Sequence, residues 1–222
     1  MGNGLLFNSI AIAFIWLYGV GNINAQTDSD LFALWPDTTL AKANSAIDVT
    51  YMNEEEKQVV FYINLCRINP KVFSETYLQD FIKDNDIKKD RDVKELYKVL
   101  ENTDSKKILE PSELLTSAAR THAKDMGETG RTGHNASDGT PFQKRMMAVS
   151  ESYSGINENA NYGTEKALDI VVGLLIDKNV PSKGHRKNIL NTDSRYIGVA
   201  IEPHKRYGVN CVQNFASNKI GD

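Results

Sequence analysis

The sequence has no excess of basic residues, because its 26 lysines and arginines are outnumbered by 29 aspartates and glutamates. Proteins that bind nucleic acids normally carry a basic excess or a basic stripe, so the composition gives no sign of such a partner. The chain also lacks a phosphate-binding loop, a cofactor motif and an internal repeat. What remains is an ordinary folded chain of 222 residues, long enough for one sizeable core.

The apolar run near the N-terminus is too short to cross a bilayer comfortably. It extends over residues 5–20, whereas a spanning helix needs about 20 apolar residues. Ala25 follows it as a candidate cleavage site, although no Lys or Arg precedes the run. We therefore predict a signal peptide over 1–25, with an uncleaved anchor as the alternative. The mature protein is expected to be secreted (periplasmic in a bacterium) and to have no membrane span.

Cysteine is scarce, since Cys66 and Cys211 are the only two in the chain. At most one intramolecular disulfide can form, and chain-entropy models assign closure of so long a loop about 4–5 kcal/mol. The alternative is a pair of buried free thiols that pack as small hydrophobic side chains. The sequence does not reveal the Cα separation that a disulfide requires, so both alternatives stay open.

The periodicity of apolar residues predicts helices first and strands last. Residues 26–52 lack sustained periodicity and are predicted to be a leader or surface strap before a domain over 53–217. Asn53 and Glu56 have the pattern of a capping box at a helix start. Further predicted helices begin at Pro70 or cover residues 93–100, 112–127 and 164–178.

Two alternating segments, 197–201 and 207–215, predict an antiparallel hairpin near the end of the chain. Because the clearest strands follow the helices and do not alternate with them, the pattern favours an α+β domain over repeated βαβ units. The mixed charges of residues 83–92 predict a solvated loop between helices.

Three polar stretches predicted as loops or turns carry the candidate functional side chains. They are 132–135 (Thr-Gly-His-Asn), 157–159 (Asn-Glu-Asn) and 184–190 (Gly-His-Arg-Lys-Asn-Ile-Leu). Two imidazoles and a carboxylate can serve as the ligands of a metal site or as the groups of an acid–base site.

The order of these stretches, with the helix before them and the hairpin after them, resembles the CAP superfamily of cysteine-rich secretory proteins, antigen 5 and pathogenesis-related 1 proteins (SCP domains). The similarity covers roughly residues 54–216 and is to the bacterial-type branch. Its most specific parts are 184–190, the Ile-Gly-Val of 197–199 and the Val-Gln-Asn-Phe of 212–215. The Gly-His-Tyr pattern and multiple disulfides of animal and plant members are absent, so functions tied to those branches are not carried over.

The resemblance implies a three-layer α-β-α sandwich with a central antiparallel sheet. It also implies a cavity that holds two histidines and two acidic residues. Carried over by position, this tetrad is His134, Glu158, Asp177 and His185. Leu174 stands where the family has Trp, and Asp177 is one methylene group shorter than the usual glutamate. Whether the Asp177 side chain reaches the cavity therefore stays open.

Three uses of the tetrad are consistent with its chemistry. Imidazoles and carboxylates suit Zn²⁺ or another divalent metal, with His134, His185 and Glu158 as candidate ligands. Without a metal, the same groups could act as general acid and base. Glu158 could instead accept hydrogen bonds from backbone N–H groups and hold its loop in place.

The other polar candidates favour structural roles. His122 lies on the apolar face of its helix, which is typical of a core or boundary histidine, and His204 is expected to be exposed in a turn. Arg186 could bind an anion, but a solvated turn is the simpler interpretation. Ser137 follows His134 by three residues, yet a nucleophile needs spatial contact with its base and an oxyanion hole.

Three classes of function follow. The first is a non-enzymatic extracellular binding module for a protein, lipid or glycan ligand, with a cavity able to bind a divalent metal. The second is a hydrolase that depends on a metal or on His and Glu158. The third is a structural, envelope-associated protein that makes its contacts through the N-terminal strap or through residues 83–92.

Overall fold

The computed structural model describes residues 34–221. The predicted signal peptide (1–25) and the first part of the predicted leader lie outside the described residues. The helices are α1 (Asp37–Ala43), α2 (Glu54–Ile68), α3 (Pro70–Phe73), a π-helical turn (Ser74–Leu78), α4 (Gln79–Asp84), α5 (Arg91–Glu101), α6 (Glu113–Thr129), α7 (Phe142–Arg145), α8 (Met147–Ser150), α9 (Ala167–Ile176) and α10 (Gly184–Ile189). The strands are β1 (Glu110–Pro111), β2 (Tyr153–Ser154), β3 (Asn157–Tyr162), β4 (Tyr196–His204), β5 (Gly208–Ala216) and β6 (Asn218–Lys219).

Four strands form the central sheet in the order β1-β4-β5-β3. β4 and β5 form the predicted hairpin, in which Tyr196 pairs with Ala216 and His204 pairs with Gly208. β3 pairs antiparallel with β5 and is an edge strand. The short β1 runs parallel to β4, so the sheet is mixed and not wholly antiparallel as expected. The reason is that the two residues before α6 run alongside the start of β4.

Helices cover both faces of the sheet, which confirms the predicted α-β-α sandwich. Successive side chains of a strand point to opposite faces, and β5 shows the division. Cys211 and Phe215 pack into the main core with α2 and α9, whereas Val212 packs against Ala119 and Ala123 of α6. The sheet therefore separates a large helical layer from a layer built mainly by α6.

Two glycines allow α6 to lie directly on β4. A Cβ atom at Gly198 would lie 2.1 Å from the backbone of Leu115 and Thr116. A Cβ atom at Gly127 would lie 2.0 Å from the carbonyl oxygen of Pro203. Because any larger residue at either position would collide with backbone atoms, the glycine in the Ile-Gly-Val segment is explained by close helix–strand packing.

The predicted capping box forms at the start of α2. The backbone N–H of Glu56 donates to Oδ1 of Asn53 (2.9 Å), and the backbone N–H of Asn53 donates to Oε2 of Glu56 (2.8 Å). The buried Glu56 also accepts hydrogen bonds from the guanidinium of Arg120 and from the backbone N–H of Ile201. This one carboxylate thus ties α2 to α6 and β4.

The described part of the predicted strap contributes to the core. Trp35 is buried and its Nε1 lies 3.4 Å from Oγ1 of Thr76. Ala43 and Ala46 are also buried in the main core cluster. Helix α1 thus packs against α2 and does not trail over the surface.

The cysteine pair does not form the candidate disulfide. Cys66 lies on α2 and Cys211 on β5, and both are free and buried. Burial raises the pKa of the Cys66 thiol to about 12 and also raises the pKa of the Cys211 thiol. The helix and the strand face each other across a packed core, so the thiols behave as small hydrophobic side chains, as in the alternative interpretation.

In the part of the chain from residue 34 to residue 221, no helix combines the length and apolar character needed to span a membrane.

Candidate functional site

The first imidazole–carboxylate pair joins the loop after α6 to the edge strand β3. Nδ1 of His134 lies 2.9 Å from Oε1 of Glu158. The Glu158 side chain is 2% exposed, while the His134 side chain is 48% exposed. Since an ionised carboxylate only accepts hydrogen bonds, Nδ1 carries a proton, and in the neutral ring Nε2 keeps its lone pair. The ring is therefore oriented by a buried acid while about half of its surface is exposed.

Arg145, at the end of α7, lies directly on the carboxylate of Glu158. Its Nη2 is 2.8 Å from Oε1 and 2.8 Å from Oε2 of Glu158. Its Nε and Nη2 also donate to the backbone carbonyl of His134, at 3.0 and 2.8 Å. No sequence pattern pointed to Arg145, because an arginine in a polar segment carries no local signal that it will pair with an acid 13 residues away.

His122 and Asn214 complete the surroundings of Glu158. Nε2 of His122 lies 3.8 Å from Oε1 of Glu158 and 2.9 Å from the carbonyl oxygen of Gly133. Burial lowers the pKa of His122, so the ring is neutral near pH 7. With its amide nitrogen facing the carboxylate, Asn214 donates to Oε2 of Glu158 (3.1 Å) and accepts from the backbone N–H of Ala119 (3.1 Å). The expectation of a buried His122 is correct, but the residue also faces the site.

The carboxylate of Glu158 does not fit the role of a metal ligand in this arrangement. Both of its oxygens are already covered, since Oε1 lies within hydrogen-bond distance of His134 and Arg145 and Oε2 within that of Arg145 and Asn214. In residues 34–221, no group of three or more His, Cys, Asp or Glu side chains is arranged to hold a metal ion. Metal binding by His134, His185 and Glu158 stays a prediction, and the Glu158 contacts weigh against it.

The second pair links the end of α9 to the start of α10. Nδ1 of His185 lies 2.8 Å from Oδ1 of Asp177, whose Oδ2 accepts a hydrogen bond from the backbone N–H of His185 (3.0 Å). Asp177 is 3% exposed and has left-handed backbone angles (φ 50°, ψ 52°) at the C-cap of α9. The shorter acid reaches the histidine because this backbone turn brings the two residues together.

A second carboxylate supports the turn that carries this pair. Asp92, near the start of α5, accepts hydrogen bonds from the backbone N–H of Asn179 (3.0 Å) and from Nζ of Lys183 (2.9 Å). Nζ of Lys183 also donates to the carbonyl of Asp177. These contacts, with the Asn179 N–H as the largest cause, lower the pKa of Asp92. The turn from 177 to 183 is thereby fastened to α5.

The two pairs flank the same edge strand. Glu158 belongs to β3, and its backbone carbonyl accepts a hydrogen bond from Nδ2 of Asn188 on α10 (3.2 Å). The neighbouring Asn159 donates through Nδ2 to the backbone carbonyl of His185 (3.2 Å). Asn188 also donates to Oδ1 of Asn159 (2.9 Å). The structure thus arranges the predicted tetrad as two His–carboxylate pairs held to β3 from different elements.

Two buried arginines hold α10 in position. Arg186 donates to the carbonyls of Leu175 and Ile176 at the end of α9 and to Oε1 of Glu95. It is 3% exposed and supports the helix end, so it is neither a solvated turn residue nor an anion-binding one.

Arg67 on α2 donates to four backbone carbonyls, those of Lys107, Ile189, Asn191 and Ser194. It is fully buried, and desolvation lowers its pKa to about 10. Ile189 is the last residue of α10, so this guanidinium fixes the helix that begins beside His185.

The structure also places the two remaining polar candidates, His204 and Ser137. His204 was expected to be exposed but is 2% exposed at the end of β4. Its Nε2 lies 2.8 Å from the carbonyl of Arg131, and its Nδ1 accepts from the backbone N–H groups of Arg206 and Tyr207. The ring is buried because its Nδ1 accepts hydrogen bonds from two backbone N–H groups of the turn.

Ser137 donates from its backbone N–H to Asp125, and its hydroxyl also contacts that carboxylate, so it is not paired with His134.

A cleft of about 520 Å³ lies away from both pairs. It is lined by the start of α2, the end of β4 and the start of β5, with side chains that include Glu54, Glu55, Glu165 and Glu202. None of the four predicted tetrad residues lines this cleft.

One family model matches more than half of the chain's 222 residues. The family model described as the cysteine-rich secretory protein family, CAP, matches residues 101–215, which include all four tetrad positions. No curated protein matches the chain significantly.

Three solved bacterial structures are similar to the chain, each with a TM-score of 0.43. An extracellular protein containing an SCP domain from Bacillus anthracis is 23% identical, over 51% of this chain and 35% of that chain. An outer surface protein from Borrelia burgdorferi is 25% identical, over 60% and 97%. A cysteine-rich secretory protein from Staphylococcus aureus is 11% identical, over 75% and 40%. The match thus spans well under half of the first and third of these proteins.

Proposed function

This chain belongs to the cysteine-rich secretory protein (CAP) family, and we propose that it is a secreted, non-enzymatic binding module. It acts outside the cell, or in the periplasm, and recognises a protein, lipid or glycan ligand through the two imidazole–carboxylate pairs. The apolar run over 5–20 and the small residue Ala25 support export.

One observation carries this proposal. Each histidine is held through Nδ1 by a buried carboxylate, Glu158 or Asp177, while its ring is partly exposed. The side-chain exposures are 48% for His134 and 25% for His185. In the neutral form of each ring, Nε2 is left to accept a hydrogen bond from a ligand. An oriented, partly exposed acceptor that is backed by buried charge is typical of a recognition site.

The hydrogen-bond partners favour binding over covalent catalysis. Within the described residues, both rings pair with carboxylates, and neither pairs with a hydroxyl or a thiol. A nucleophile must lie within hydrogen-bond reach of its base. Both cysteine thiols are buried in the core, and the Ser137 hydroxyl is bonded to Asp125. The binding role is therefore preferred to a serine- or cysteine-dependent hydrolase.

The test measures binding of the chain without residues 1–25 to three probes: soluble peptidoglycan fragments, phosphatidylglycerol vesicles and a mixture of secreted bacterial proteins. The double variant His134→Ala/His185→Ala is compared with Lys144→Ala/Lys187→Ala, in which two exposed cations near the same elements are removed. We expect the histidine variant to lose affinity by about tenfold or more for the probe that binds, and the lysine variant to keep it. Circular dichroism verifies that both variants fold.

Turnover of a substrate would contradict this proposal. If the purified chain turns over a defined ester, peptide or glycoside substrate and His134→Ala abolishes that turnover, the protein is an enzyme and the proposal is wrong.

A metal-independent hydrolase is the second candidate, because a histidine oriented by a carboxylate is also the arrangement of a general base. In that case His134 or His185 would take a proton from water through Nε2. Activity would then depend on pH through the state of the imidazole and would be insensitive to chelators. Activity that is flat with pH would eliminate this candidate.

A further inference from the structure

The cation nearest to the candidate site is a side chain of the protein itself. Nη2 of Arg145 lies 2.8 Å from each oxygen of Glu158. A guanidinium carries a positive charge at neutral pH. The net charge of Arg145 and Glu158 together is therefore zero, and a divalent ion that approached Glu158 would meet a fixed positive charge.

Arg145 is held in this position by contacts that do not involve Glu158. Nε and Nη2 donate to the backbone carbonyl of His134. The guanidinium also lies over the ring of Phe142, with 5.5 Å from Cζ to the ring centroid. Its side chain is only 11% exposed. Because these contacts pre-organise the arginine, its pairing with Glu158 does not rest on a single mobile surface contact.

We infer that the positive charge of Arg145 prevents Glu158 from acting as a ligand for a divalent metal. This arginine therefore determines whether the site can bind such an ion. Through Arg145, the carboxylate is committed to orienting His134 and to neutralising a guanidinium, and it is not available as a ligand. Removal of the arginine would uncover the side of the carboxylate on which Nη2 now contacts both oxygens. The inference is independent of the proposed function, because metal binding is measured with no other ligand present.

The experiment is a calorimetric titration of Zn²⁺ into the metal-stripped chain without residues 1–25. Arg145→Met, which keeps the length and apolar stem of the side chain but removes its charge, is compared with the wild-type protein. We expect Arg145→Met to bind Zn²⁺ at least about tenfold more tightly. Arg145→Lys retains a positive charge and is expected to gain much less.

Two controls attribute the gain to Glu158. Lys144→Met removes an exposed charge from the same helix, one position away, and should leave Zn²⁺ affinity at the wild-type value. Arg145→Met/Glu158→Gln removes the freed carboxylate and should lose the gain. Thermal unfolding of each variant ensures that folded protein is titrated, and Arg145→Gln replaces Arg145→Met if the latter does not fold.

Three outcomes would overturn the inference. One is stoichiometric Zn²⁺ binding by the wild-type protein that Glu158→Gln abolishes, because the carboxylate would then already be open. Another is an Arg145→Met variant that binds no more tightly than Lys144→Met. The third is a gain that survives in Arg145→Met/Glu158→Gln, because the metal would then be bound elsewhere.

Discussion

Asp177 holds His185 by two contacts at once. Its Oδ1 lies 2.8 Å from Nδ1 of the ring, and its Oδ2 accepts a hydrogen bond from the backbone N–H of the same residue (3.0 Å). The carboxylate thereby orients the imidazole and also satisfies one of the free N–H groups at the start of α10. The left-handed conformation of Asp177 (φ 50°) is what places the acid for both contacts.

Replacement of this acid by its amide tests the relationship. In Asp177→Asn, the amide nitrogen would face the backbone N–H or the ring N–H of His185, and one donor would lose its acceptor. Asparagine tolerates left-handed angles, so the backbone itself is not strained by the change. We expect the free energy of unfolding to fall by about 1–3 kcal/mol and the ¹⁵N shifts of His185 to change, as measured by urea denaturation and NMR.

Asp86→Asn is the matched control for this change. Asp86 also has left-handed angles (φ 48°) but is exposed. If the two variants lose the same stability, the effect comes from the backbone and not from the contact with His185.

Arg67→Met is predicted to be among the most destabilising single changes in the domain. Four backbone carbonyls that accept hydrogen bonds from this buried guanidinium would lose their donors. An unsatisfied buried polar group costs about 1–3 kcal/mol, so a total loss of at least about 3 kcal/mol is expected in urea denaturation. Arg91→Met, at an exposed site, should change stability little. A comparable loss in both variants would contradict the assigned role of Arg67.

Both thiols are predicted to be unreactive in the folded protein. The thiolate is the reactive form of cysteine, and burial raises the pKa of both Cys66 and Cys211. A thiol reagent at pH 8 should therefore modify neither residue in native buffer and both residues in denaturant. Denatured, non-reduced protein that shows no free thiol would instead establish a disulfide.

The contribution of Asp92 to stability is predicted to depend on pH. Its folded-state pKa is lowered by the N–H of Asn179 and by Lys183, below an unfolded value of about 3.9. A depressed pKa contributes stability above the unfolded value, and that stability is lost as the pH falls through the folded value. Asp92→Asn should therefore be less stable than wild type at pH 7, with a difference that narrows below about pH 4.

Asp84→Asn is the control for this pH series, because Asp84 is exposed at the end of α4. Denaturant unfolding from pH 3 to pH 8 gives the comparison. A gap between wild type and Asp92→Asn that stays constant across this range would refute the linkage.

Features that depend on residues close together in the sequence were predicted well. The capping box of Asn53 and Glu56 and the hairpin of β4 and β5 formed as expected. The start of α9 was misplaced, since the helix was predicted from residue 164 but has its N-cap at Lys166 and begins at Ala167. There Oε2 of Glu55 accepts a hydrogen bond from the backbone N–H of Ala167. A long-range contact of this kind leaves no trace in a short window of sequence.

The candidate site was likewise predicted in its motif residues and not in its long-range contacts. The four tetrad positions were carried over from the resemblance to the CAP superfamily, and the structure pairs each histidine with one acid. The role of Arg145 and the position of His122 beside Glu158 were not foreseen, since neither residue belongs to a motif. The exposure of His204 was predicted wrongly, because its ring supplies an acceptor to a turn that the sequence pattern shows only as polar.

The sequence by itself determined the periodicity of the helices, the capping at Asn53 and the strand hairpin, and its resemblance to a family nominated the four site residues. These features depend on residues within a few positions of one another or on ordered motifs. Only the tertiary structure decided that Glu158 is neutralised by Arg145, that Asp177 reaches His185 and that Arg67 holds carbonyls 122 to 127 positions away. The physical reason is that buried charges are stabilised by whichever donors and acceptors the packed core brings within about 3 Å, and that distance is set by the whole fold.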